Sequence, residues 1–113
     1  MMWIMVAGPY RSGSDSPEGW SENLRVLNQA ALEVFRRGHI PIIGVNLALP
    51  VIDVAGQEMY NELMMPISLA LAERCDAVLR IGGTSSGADR EVEKFQAKGL
   101  PVFRSIDEIP THP

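Results

Sequence analysis

The sequence predicts an α/β domain built on a parallel sheet, with helices on both faces. Short apolar runs at residues 3–7, 40–43, 77–81 and 101–103 have the length and composition of strands. Segments with helical periodicity lie between them, and strands alternating with helices call for parallel pairing in a layered fold. The 113 residues, 46% of them hydrophobic, suit a single domain spanning residues 1–113.

Residues 3–7 are apolar throughout and end at Gly8-Pro9, the pattern of a fully buried strand. The loop at 10–16 is rich in Ser and Gly and carries one base, Arg11. Ser16-Pro17-Glu18 starts a helix: a capping hydroxyl, a proline where no N–H is needed, and an acid at the positive dipole end. Leu24, Leu27, Ala31, Val34 and Phe35 give this helix an apolar stripe, and Arg36, Arg37 and Gly38 mark its end.

Residues 40–43 are the second strand, with Pro41 near its start, where a missing ladder donor is tolerable. From 44 to 57 the periodicity fades around Pro50 and Gly56, so the stretch reads as a long functional or mobile loop. Its apolar residues Leu47, Leu49, Val51 and Ile52 are costly to expose, which makes residues 45–54 a candidate interface with a second copy. A helical pattern returns at 58–65, and Pro66 is expected to kink that helix or restart it. Ile67, Ala70 and Leu71 carry the face on towards Cys75-Asp76. The third strand, 77–81, leads into a Gly/Ser loop at 82–87 and a helix to about Lys98, which Gly99 caps. A short fourth strand follows at 101–103, and residues 106–113 read as a terminal turn with a polar tail.

Right-handed crossovers leave few arrangements of these elements, and a four- or five-stranded flavodoxin-like sheet with a central first strand is the natural one. In such sheets ligands bind beyond the C-terminal strand ends, at the switch point. The loops after strands one and three both fall at that edge.

The net charge of −4 and the absence of a basic stripe argue against a nucleic-acid polymer or an anionic membrane as partner. One cysteine, Cys75, excludes an internal disulfide and suits a reducing, cytoplasmic setting. The apolar run at the start lacks a charged n-region and is too short to span a bilayer.

Candidate chemistry concentrates in Ile81-Gly82-Gly83-Thr84-Ser85-Ser86-Gly87-Ala88-Asp89-Arg90-Glu91. Small residues admit a ligand close to the backbone, and a helix N-terminus attracts anions. Gly82, Ser85, Ser86 and Gly87 are therefore candidate ligand contacts for a phosphate or ribose; the other reading is a βα turn with Ser85 or Ser86 as N-cap. The loop is neither a Walker loop nor GxGxxG, and no cofactor is expected. Ala88, Val92 and Phe95 form the stripe facing the sheet. Glu91 lies about 65–70° from its middle, closer than Asp89, Glu93 or Lys94. An acid placed so is partly desolvated, with a raised pKa. It is either a functional carboxylate or an ordinary acid near a helix start. In the first loop, Gly8, Pro9, Tyr10 and Arg11 complete the candidate ligand set, Arg11 as the base suited to a phosphate and Tyr10 as a stacking surface or a cover for the core. His39 and Asp76 fall at the opposite sheet end, and His112 in the tail. With Cys75 isolated, no metal site and no Ser-His-Asp triad is expected. The six methionines read as core filler.

At three stretches the chain resembles the nucleoside 2-deoxyribosyltransferase-like superfamily, in particular its small branch without an assigned function: Ile4-Met5-Val6-Ala7-Gly8-Pro9-Tyr10-Arg11-Ser12, Cys75-Asp76-Ala77-Val78-Leu79, and Ser85 to Glu91 followed by Gly99-Leu100-Pro101-Val102. The resemblance implies a flavodoxin-like fold and cleavage or transfer at the N-glycosidic bond of a nucleoside or nucleotide. It makes Glu91 the nucleophile, sets Ser85 and Gly87 beside the sugar or 5′-phosphate, and matches Gly8 to the family's first-loop glycine. It also implies a homodimer whose neighbours complete each site. Two departures stand out: Ser68 occupies the position of an aspartate of active members, and Val92-Glu93-Lys94-Phe95 follows the glutamate where Gly and Ala are common. The first favours an alternative reading, a non-catalytic module that binds a nucleotide or phosphosugar. Gly82-Gly83 and Glu91 also echo the Gly-Gly-x-Gly-Thr-x-x-Glu pattern of lysine-decarboxylase-like phosphoribohydrolases, at a different spacing.

Overall fold

In a computed structural model that describes residues 1–113, the chain forms one four-stranded parallel sheet in the order β2-β1-β3-β4. The strands are β1 (Trp3–Ala7), β2 (Ile40–Ile42), β3 (Ala77–Arg80) and β4 (Val102–Phe103). The helices are α1 (Pro17–Arg36), α2 (Gly44–Ala55), α3 (Tyr60–Ala72) and α4 (Ser86–Ala97). This is the flavodoxin-like α/β arrangement the sequence predicts. β1 is interior and pairs with β2 on one side and β3 on the other, with Met5 opposite both Ile42 and Val78. No helix is long and apolar enough to cross a membrane.

The central strands are buried on both faces, so their apolar runs divide by parity. Ile4, Val6, Ala77 and Leu79 point to one side and pack with Leu27 and Val34 of α1. Met5, Ala7 and Val78 point to the other and pack with Ala72 of α3 and Ala88, Val92 and Phe95 of α4. A third cluster, Ala48, Ile52 and Met64, joins α2 to α3.

The start of α1 forms as its sequence directs: the Ser16 hydroxyl accepts from the Gly19 N–H at 3.1 Å, with Pro17 at N1. Its stripe needs one correction, because Phe35 is 61% exposed while Val34 is buried. Neighbours on a helix diverge by about 100°, so both cannot face the sheet.

The stretch after β2 is not a loop but helix α2. Val45, Ala48, Leu49 and Ile52 recur at helical spacing and pack against α3. Pro50 is tolerated because it faces solvent, where water can serve the carbonyl left without a donor. The candidate interface changes with it. Ile52 is fully buried within the chain and Leu49 is half-buried, whereas Leu47, Val51 and Val54 form the exposed face. Gly44 opens α2 in close contact with α3; a Cβ there would lie 2.3 Å from the Ser68 hydroxyl and 2.8 Å from its Cβ. Pro66 does not restart the helix: α3 runs unbroken from Tyr60 to Ala72 with Pro66 inside it.

The tail is not free either. Ile109 is buried under α1, and Arg37 donates to its carbonyl at 2.9 Å. The His112 N–H donates to Arg37 O. His39 accepts from the Met2 N–H at Nδ1 and sits 2.6 Å from Pro110 O through Nε2. Nε2 must therefore carry the proton, which fixes the neutral tautomer.

Candidate functional site

The loops after β1 and β3 meet at the C-terminal edge of the sheet, on either side of the switch between β1 and β3. Gly8 allows that meeting: a Cβ there would fall 2.8 Å from Ile81 O and 2.9 Å from Leu27 Cδ2. Gly82 turns the second loop at φ +79°, with Pro9 packed where its Cβ would stand. The first loop is held from α1: Asn23 Nδ2 donates to Tyr10 O and Ser12 O, and Trp20 Nε1 donates to Ser14 O at 2.8 Å.

A cavity of about 210 Å³ opens between these loops and α3. Of the residues singled out in the sequence, Gly8, Tyr10, Arg11, Ser85, Ser86, Gly87 and Glu91 line it. Pro9 lines an adjoining polar cleft with Gly83, Thr84 and Asn23; Ser12, Ser85 and Ser86 border both spaces. Gly82 lines neither and serves the turn. The remaining cavity wall comes from Val45 of α2, from Tyr60, Met64, Met65 and Ser68 of α3, and from Ala88 of α4. Apart from Ser68, these residues gave no separable signal in the sequence, since a helix wall of Tyr, Met and Val looks like core. Met64 serves both purposes, buried against Ile52 and facing the cavity.

Glu91 is 8% exposed, while Asp89 and Glu93 on the same helix face solvent. Its position on α4 follows from the helix start, where Ser85 caps by accepting from the Ala88 N–H at 3.2 Å. Burial pushes the Glu91 carboxyl up from 4.5 to about 7, against the opposing pull of the Arg80 guanidinium. Arg80, the last residue of β3, supplies that opposing charge, and strand-pattern reasoning passed over it. It is itself buried and donates to Asp89 Oδ1 (3.2 Å), Ile81 O (2.5 Å) and Gly83 O (2.9 Å). One side chain thus fixes the loop, ties it to α4 and supplies positive charge near the carboxyl.

Across the cavity, the Arg11 guanidinium lies over two rings, 4.1 Å from the Trp20 centroid and 3.6 Å from that of Tyr60. Burial raises the Tyr60 pKa, partly offset by the charge of Arg11. Ser68, where the resemblance expects an aspartate, is buried, with its hydroxyl directed at Met64 Sδ 3.9 Å away.

The residues set aside lie elsewhere. Asp76 accepts from the Trp3 N–H at the N-terminal end of the sheet, and His39 binds the tail. Burial pushes the Cys75 thiol up to about 11, so it is inert at neutral pH. No three His, Cys, Asp or Glu side chains gather closely enough to hold a metal ion. Comparison with models of known protein families finds none that matches this chain, and comparison with curated proteins finds no significant relative.

Proposed function

We propose that the cavity binds a nucleoside or nucleotide and that Glu91 attacks its anomeric carbon. The observation that carries this reading is a buried carboxyl on the wall of a cavity whose other side is a loop of small and hydroxyl residues. Its pKa near 7 lies where a catalytic carboxyl is useful at neutral pH, and burial is the cause. The three sequence stretches that resemble the deoxyribosyltransferase-like superfamily supply the substrate class.

In this mechanism an ionised Glu91 oxygen forms a bond to the anomeric carbon as the bond to the base nitrogen breaks. The base leaves with that electron pair and takes a proton from solvent water. A glycosyl ester on Glu91 remains; water or a second base then attacks the same carbon, gives up a proton to solvent, and the ester C–O bond breaks to restore the carboxylate. Arg80 assists by favouring the ionised carboxylate.

The test is release of free base from a panel of nucleosides and nucleotides, with Glu91→Gln as control. Base release that depends on Glu91 supports the reading; none at high enzyme concentration, or equal release by the variant, refutes it. The second reading, binding without turnover, draws on the buried Ser68, which cannot act as the acid expected at its position. It predicts ligand-induced thermal stabilisation with no base released. The proposal extends to a homodimer, supported by Leu47, Val51 and Val54 on one exposed face of α2. A monomer by light scattering at micromolar concentration refutes that part.

A further inference from the structure

We propose that Arg11 recognises a phosphate monoester, so that the ligand of this cavity is a phosphorylated nucleoside or sugar. The inference rests on the reading of the cavity as a nucleoside or nucleotide site and narrows it to the phosphorylated members.

Arg11 and Glu91 are the two charged side chains that line the cavity. No close ion pair of the fold includes Arg11: Arg36 pairs with Glu33, Arg37 with Asp107, Arg80 with Asp89, and Lys94 and Lys98 with Glu73. Its Nε is fully buried and has no hydrogen-bond partner. A partly buried cation with an unpaired donor and no anion is unfavourable, and the two rings offset only part of that.

The geometry favours a particular occupant. Trp20 and Tyr60 lie against the guanidinium and Nε is buried, which leaves its terminal N–H groups to donate. The backbone on either side of Arg11 is pinned, since Asn23 holds the carbonyls of both Tyr10 and Ser12. Such a planar, fixed donor edge matches the oxygens of a phosphate. The same cavity presents the hydroxyls of Ser85 and Ser86 and the first turn of α4. A phosphate accepts from several of these donors at once. The neutral hydroxymethyl of an unphosphorylated nucleoside uses one and leaves the cation unpaired.

Binding measured by titration calorimetry on the Glu91→Gln protein, which holds ligands without turning them over, tests this. The probes are a purine and a pyrimidine nucleoside, their 5′-monophosphates, ribose 5-phosphate and inorganic phosphate. The monophosphates are expected to bind about tenfold or more tightly than the nucleosides, the scale of a charged hydrogen-bonded contact. Ribose 5-phosphate is expected to bind more tightly than inorganic phosphate. Adding Arg11→Gln should abolish the difference between monophosphate and nucleoside, while Arg11→Lys should restore part of it; melting curves check that both variants fold. Equal affinity for nucleosides and monophosphates overturns the inference, as does a preference that survives Arg11→Gln. Inorganic phosphate binding as tightly as the monoesters also overturns it. Phosphate preference carried by Arg11 in a protein that never frees a base upholds this inference while refuting the glycosidase reading.

Discussion

Replacing Glu91 by Gln should make the protein more stable at neutral and alkaline pH, by an amount set by the buried carboxyl. The native pKa, about 7, lies above the ordinary 4.5, so the folded state holds the proton more tightly than the unfolded chain. Below pH 4.5 both states are protonated and the group contributes no penalty. As pH rises to about 7 the unfolded chain releases its proton and the folded one keeps it, so stability falls; above about 7 the loss is complete. At ~1.4 kcal/mol for each pH unit, the window amounts to ~3 kcal/mol. Gln keeps the shape without the charge, so Glu91→Gln should be nearly level across the window. At pH 8 it should exceed the wild type by up to ~3 kcal/mol, or ~10 °C in melting temperature for a domain of this size. Urea unfolding of both proteins at half-unit steps from pH 4 to 8.5 measures it, and the difference between the two curves cancels other titrating groups. Parallel curves, or a variant less stable at pH 8, would refute the idea that burial strains this carboxyl. Strain of this kind is expected where a group is held for function at the expense of stability.

Other perturbations follow from the same geometry. Arg80→Met removes the positive charge that opposes desolvation, so the Glu91 pKa should climb further; carboxyl NMR titration reads it directly, and an unchanged pKa counts against the ascribed influence. In the proposed reaction Glu91 must be ionised, so base release should rise with pH through about 7 in the wild type, and the rise should move to higher pH in Arg80→Met. His39→Ala removes partners of the Met2 N–H and the Pro110 carbonyl and should destabilise by about 1–3 kcal/mol in urea unfolding, with faster amide exchange at both chain ends. Gly44→Ala sets a methyl against Ser68 and should cost about 1–3 kcal/mol, and Ser68→Gly should recover part of it; additive losses in the double mutant would deny the contact.

The sheet was legible because its signal is local: four short apolar runs, the first three each ended by a glycine, cannot be read as much else. The strand-to-helix step at Ser85 and the burial of Glu91 were legible for a similar reason, since a cap and a three-residue stripe determine which acid turns inward. Helix α2 was obscured because Pro50 and Gly56 read as breakers, although Val45, Ala48, Leu49 and Ile52 keep helical spacing. Proline is tolerated there by exposure, which only the packed fold reveals. The anchoring of the tail was not legible because His39 and Pro110 meet across some seventy positions of chain, beyond the reach of any window. Arg80 was missed because an arginine ending a strand looks like an edge charge until its partners Asp89, Ile81 and Gly83 are seen. Arg11 was noticed as a base, but its seat between Trp20 and Tyr60 depends on α1 and α3 converging on one loop.

The most direct test of the central claim is the mass of the protein after brief incubation with a nucleoside 5′-monophosphate and an acid quench. The account predicts a fraction carrying one added sugar phosphate, mapped by peptide analysis to Glu91 and absent from Glu91→Gln. Free base released by the wild type with no adduct at Glu91, and undiminished release by the variant, would contradict it.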